Sequence, residues 1–257
     1  MVVGRAFGLP LLRPLCRLPF VHRFGLLQRD GQTYIVAATL KSDHQFKEDW
    51  TCPGRIWVGK LPEDLDSVDE AHPLELIPLV SGLMRNHGFF KYECDGVAAC
   101  LVGTENGIYR VTPPAADGQW QTECILNIPT SDMLLADFDG DGEKEMLVLA
   151  PFHGAGLSVY KQGAAGWEKV FEAPQPLDFL HALAAGSLAG QEVAVIGHRK
   201  AGRDLIMVSC DAQGYRLDVL DHDIGPANVL CRAAGEDLWI LSANRETDEV
   251  AMYLVKK

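Results

Sequence analysis

The chain has 257 residues, 47% of them hydrophobic and 23% charged, with a formal net charge of −12. Such a length admits one or two domains with a sizeable core, and the acidic balance excludes nucleic acid, whose phosphates need a basic surface to release counterions. No apolar run reaches the roughly eighteen residues of a membrane-spanning helix, so no membrane partner is expected.

The first twenty residues, MVVGRAFGLPLLRPLCRLPF, are interrupted by Arg5, Arg13 and Arg17, which breaks the apolar stretch a signal peptide requires. Seven cysteines, at 16, 52, 94, 100, 124, 210 and 231, form no CxxC pair, and Cys100 and Cys210 sit inside apolar runs. An odd count of scattered thiols suits a reducing compartment, and a cytoplasmic location is expected.

Three segments repeat one pattern: HRFGLLQRDGQTYIVAA from His22, HGFFKYECDGVAACLVG from His87 and HALAAGSLAGQEVAVIG from His181. In each, a histidine stands nine residues before a turn glycine, at Gly31, Gly96 and Gly190. Weaker copies begin near Asp132 and Asn228, so the starts at 22, 87, 132, 181 and 228 are 65, 45, 49 and 47 residues apart. A period of roughly 40–50 residues is that of four-stranded propeller blades and is too long for the rival architecture, a β-solenoid. An insertion from Lys41 to Pro53 accounts for the long first interval.

Each unit continues with a third strand: GRIWVGKL, GIYRVTP, GLSVYKQ, RDLIMVSC and EVAMYLVKK. Candidate fourth strands are LELIPLV, WQTECILNI, WEKVFEA and YRLDVLDHDI. All are short, rich in β-branched and aromatic residues, and bounded by turn formers. The fifth unit ends after its third strand. The expectation is an all-β, single-domain, five-bladed propeller spanning 1–257, in which residues 8–18 supply the last outer strand and close the ring.

Innermost strands that run the same way begin at the same mouth of the channel. His22, His87 and His181 are therefore expected to converge there as ligands of a transition metal, with Asp132 and Asn228 completing the ring. Three neutral imidazoles with one open position are the usual setting of a catalytic zinc; iron, nickel, cobalt and manganese use similar donors. The loops after the second strands surround that mouth. They offer His198, Lys200, His153 and Arg199 as candidate catalytic groups and Lys41, His44, Arg203, Asn244 and Arg245 as candidate substrate contacts. Basic groups above a metal suit a small anionic or polyhydroxylated substrate. Aromatic residues in these loops, Phe46, Trp50 and Phe152, would serve a binding module instead.

The segment DFDGDGEKE carries different chemistry. Asp137, Asp139, Asp141 and Glu145 stand at positions 1, 3, 5 and 9 of a glycine-bearing loop, a spacing that suits calcium, with magnesium or a hydrogen-bonded turn as alternatives. On these residues the chain resembles FG-GAP/VCBS-type propellers, whose repeats carry DxDGDG loops. The opening HAL at His181 and GHRK at 197–200 also look like the propeller part of aldos-2-ulose dehydratase-like proteins. The resemblance implies a propeller fold and metal-assisted elimination on keto-sugars. The reading that follows is a metal-dependent lyase, dehydratase or isomerase acting on a keto-sugar or sugar acid. The alternative is a non-catalytic propeller that binds a glycan or a protein.

Overall fold

A computed structural model describes residues 14–116 and 118–257. Nineteen strands form five antiparallel sheets, each a meander in chain order. The first sheet contains β1 (Val21–Arg29), β2 (Gln32–Thr39), β3 (Gly54–Lys60) and β4 (Ile77–Leu83). The second contains β5 (Gly88–Cys94), β6 (Val97–Thr104), β7 (Gly107–Thr112) and β8 (Gln121–Leu126). In the third are β9 (Asp132–Ala136), β10 (Glu145–Ala150), β11 (Gly156–Gly163) and β12 (Gly166–Glu172). The fourth has β13 (Leu180–Leu188), β14 (Gln191–His198), β15 (Leu205–Asp211) and β16 (Gly214–Asp221), and the fifth has β17 (Pro226–Ala234), β18 (Asp237–Asn244) and β19 (Glu249–Val255).

The repeated histidine–glycine spacing is a hairpin register. Asp30–Gly31, Asp95–Gly96 and Ala189–Gly190 each form a two-residue loop with both residues at positive φ. That geometry matches the twist of the flanking strands. The long first interval has two sources rather than one. Residues 40–53 are indeed an insertion, closed by a bridge between Lys41 and Pro53, but the 61–76 connection between β3 and β4 is also long.

Second strands hold the sheets together, and those of the first four sheets are covered on both faces. In β2, Val36 and Ala38 face Cys100 and Val102 of the second sheet. Leu101 of β6 turns the other way, toward Met133 and Met146 of the third. Leu147 and Leu149 of β10 meet Ala194 and Ile196 of β14, and Val193 and Val195 meet Leu238 and Ile240 of β18. Each of the Val, Leu, Ile and Met side chains contributes about 1.5–3 kcal/mol on full burial.

The two ends of this stack differ. The outer face of the first sheet is covered by its own chain, Ile35 packing with Val68, Leu74 and Leu15. Among the described residues nothing covers the outer face of the fifth: Leu230 is 64% and Met252 63% exposed, with Trp239, Leu241, Val250 and Leu254 beside them. The expected closing strand does not reach this sheet among the described residues. Residues 14–18 are not a strand, and Leu15 O accepts a hydrogen bond from Leu74 N at 2.7 Å, which ties them to the first sheet. Residues 8–13 of that expectation lie outside the described residues.

The two faces of β18 should therefore respond differently to truncation. Ile240→Ala should cost about 2–5 kcal/mol in urea unfolding, and Leu241→Ala, its bare neighbour, under about 1 kcal/mol. Equal costs would mean that the outer face is covered in solution.

Candidate metal centre and active site

Strand starts build the mouth. β1 and β13 each carry a bulge at their first turn of pairing, between Val21 and Arg23 and between Leu180 and Ala182. The extra residues are His22 and His181, and a bulge re-aims the side chain of the residue it inserts. The corresponding bulge of β17 falls at Ala227. His87 precedes β5 and Ser131 precedes β9, and their amides pair back to Gly103 O and Leu149 O. The ring positions are thus His22, His87, Ser131, His181 and Ala227. Asp132 and Asn228, expected in the ring, lie one residue further on, and one residue of register reverses the facing of a side chain in a strand. They line a cavity of about 300 Å³ together with His22, Arg23 and His181.

The two ring residues that lack an imidazole supply acceptors instead. Ser131 O lies 3.1 Å from His87 Nδ1, and Ala227 O lies 3.0 Å from His181 Nδ1. A carbonyl only accepts, so both rings carry their proton on Nδ1 and keep the Nε2 lone pair. His87 is 1% exposed and its Nε2 has no partner.

His153 completes the cluster from the loop after β10, in the left-handed region at φ 50°, its amide donating to Ser131 Oγ at 3.2 Å. Its Nε2 is also buried and unpartnered. Ligand atoms of His87, His153 and His181 lie within 4.8 Å of one another. His22 stands beside this trio, its ring 4.5 Å from that of His87, and is exposed. Of the expected trio, the structure therefore brings His87 and His181 together with His153, and places His22 at its flank. Second-strand loops return to the mouth of strand starts, the one signal in the sequence for His153.

Desolvation dominates the electrostatics. It pushes His22 and His153 down to about 4 and His87 to about 2, with neighbouring charged imidazoles adding to the effect. His181 is lowered by the same cause, partly opposed by its bond to Ala227 O. All four rings are neutral at pH 7, the state in which imidazole ligates metal. Asp132 moves the other way: burial raises it to about 7 against the pull of Arg23, whose Nη2 lies 3.8 Å from its Oδ2.

A rim of rings and cations surrounds the imidazoles. Phe152 stacks on His153 at 4.0 Å and Phe179 at 4.5 Å on its other side. Arg85 lies over Trp50 and Phe152, and Arg199 and Lys200 lie over Phe179. Arg85 donates to Glu105 at 3.1 Å, yet its Nε and that of Arg199 are buried without partners. Arg85 and Phe179 were not legible as site residues, because Arg85 precedes a strand start and Phe179 lies outside the second-strand loops.

Several expected contacts are engaged elsewhere. His198 is buried, Nδ1 bonded to Lys200 O at 2.9 Å and Nε2 3.2 Å from Asp204 Oδ2, off the hydrogen-bond direction. Lys41 is buried and donates to Lys47 O and Asp49 O, which pins the 40–53 loop. Asn244 bonds Ser242, Glu249 and Tyr253, and Arg203 pairs with Asp223 at 2.7 Å. His44 is exposed against Phe20. The charge of Arg245 is felt at His181.

These shifts set a pH dependence. For histidines lowered from 6.5, the unfolded chain binds more protons between that value and the folded one, so stability rises with pH there and is lost as pH falls from 6.5 toward about 4. Asp132, raised from 3.8 to about 7, opposes this. Four histidines against one carboxyl leave a net loss on acidification. Thermal unfolding of metal-free protein should show Tm falling between pH 6.5 and 4, with a shallower slope in His87→Gln; a flat profile would contradict the buried cluster.

No protein-family model and no curated protein matches the chain. Solved structures do. A mutant of AofleA from Arthrobotrys oligospora superposes with a TM-score of 0.54 at 9% identity, covering 96% of this chain and 72% of that one. The major allergen Mala s 1 of Malassezia sympodialis gives 0.47 at 12% identity, covering 92% and 77%. The likeness at this identity is one of architecture, and the chain is an all-β protein of propeller-like fold.

Proposed function

We propose that His87, His153 and His181 hold a divalent transition metal, zinc foremost, and that the surrounding mouth is the active site of a lyase, dehydratase or isomerase acting on a keto-sugar or sugar acid. The observation that carries this reading is the pair of buried, unpartnered Nε2 atoms on His87 and His153, within ligand distance of His181. A buried imidazole nitrogen without a partner is costly, and a metal satisfies such atoms together while the Nδ1–carbonyl bonds hold the rings in place.

A metal held there would draw electrons from a substrate carbonyl or carboxylate and make the adjacent C–H more acidic. Arg199 and Lys200, with Arg85 opposite, orient the anionic end of the substrate; their charges stand one phenyl ring away from the imidazoles. His22, neutral and outside the trio, takes the α-proton on a ring nitrogen and hands it on, to the β-hydroxyl that leaves as water in an elimination or to the adjacent carbon in an isomerisation. Phe152 and Phe179 exclude water from the cluster. His198, bonded through Nδ1 to Lys200 O, keeps the 199–204 loop in shape.

A second reading has its own observation. Trp50, Phe152 and Phe179 place three aromatic rings at one mouth, and such rings also stack on sugars, so a glycan-binding module would use the same surface without turnover.

Elemental analysis of tag-free protein tests the first reading. About one transition metal per chain is expected, lost in His87→Ala, His153→Ala and His181→Ala and retained in His22→Ala. The His22 variant should then lose about 10²-fold or more in kcat on any keto-sugar or uronate turned over by the wild type. Metal-free wild-type protein that retains a sugar unchanged would favour the binding module.

A further inference from the structure

The acidic loop between β9 and β10 has the carboxylate pattern of a calcium site, yet a side chain of the same chain stands in its centre. Lys161, on β11, points its ammonium at three carboxylates. Nζ lies 2.5 Å from Asp139 Oδ2, 2.6 Å from Asp141 Oδ2 and 3.1 Å from Glu145 Oε1.

The remaining carboxylate oxygens are committed to the backbone of the loop. Asp137 accepts from the amides of Gly140 and Gly142, Asp139 from Asp141 N, Asp141 from Glu143 N, and Glu145 from Phe138 N. Gly140 and Gly142 take positive φ, 75° and 93°, which lets the loop turn tightly enough to aim those amides inward. Each of Asp139, Asp141 and Glu145 thus spends one oxygen on the loop and offers the other to Nζ. Glu145 is fully buried, so its charge requires a partner. Hydrogen bonds to Asp139 and Asp141 in turn raise the ammonium above the ordinary lysine range.

We infer that Lys161 is a covalently tethered cation that occupies this loop in place of calcium, so that the third sheet folds and persists without a divalent ion. Calcium takes 6–8 oxygens at about 2.3–2.6 Å, and here it would meet an ammonium already in the cage. Binding would require Lys161 to swing out, separating its charge from three carboxylates at once. The inference is independent of the histidine cluster, which lies at the other end of β10.

The test is calcium and EDTA titration of the full chain, followed by thermal unfolding and calorimetry. The wild type, freed of transition metal beforehand, should show no heat of calcium binding and no change in Tm with millimolar calcium or EDTA. Lys161→Met, and Lys161→Gln as a second variant, should lower Tm by about 5 °C and regain it in calcium but not in magnesium. A variant too unstable to fold in EDTA should fold on adding calcium. Calcium stabilisation of the wild type, or Lys161 variants that lose no stability and gain no calcium response, would overturn the inference.

Discussion

Burial of the second strands on both faces is the constraint on which the rest of the structure depends. β6, β10 and β14 alternate their side chains between two neighbouring sheets, and β2 between the second sheet and its own chain's 61–76 connection, so none of these four sheets can shift without opening two cores. Interiors packed to this density transmit position rather than absorb it. The strand starts are therefore placed to within a side chain's length of one another, and imidazoles separated by up to 159 positions in the chain, from His22 to His181, meet at one mouth.

The same packing explains the chemistry of the mouth. A lone histidine on a strand would be solvated and titrate normally. Brought together, the four rings lose water, and His22, His87 and His153 cannot take a proton without meeting the charge of another imidazole. The carbonyls of Ser131 and Ala227 matter as much as the histidines they bond, because they decide which nitrogen keeps its lone pair. The two sheet starts without a histidine thus orient the imidazoles of the neighbouring sheets.

Charge is divided between the two faces. On a chain of net charge −12, Arg85, Arg199 and Lys200 gather around the imidazoles, while the acidic loop lies at the other end of β10 around Lys161. Cations over aromatic rings remain available to an incoming anion. The ammonium of Lys161 is consumed by the fold.

Local signals were sufficient for much of this protein. Hairpin loops, the period of the units, all nineteen strands and the convergence of His87 and His181 followed from residue spacing, because turn chemistry and two-residue alternation act over a few residues. What depended on the third dimension was facing and partnership. Asp132 and Asn228 missed the ring by one residue of register, since neither the start of β9 nor the bulge at Ala227 can be read from apolar pattern alone. The loop after its second strand placed His153 at the mouth, but its seat between His87 and His181 was decided by sheet packing, and the role of Lys161 by a cross-strand neighbour with no trace in its own flanking residues. The outer face of the fifth sheet reads from sequence as a buried one, Trp239 and Leu241 being as apolar as their counterparts in the other second strands; only the tertiary structure shows that residues 14–18 cover the first sheet instead, because Leu15 finds its hydrogen bond and its apolar neighbours there.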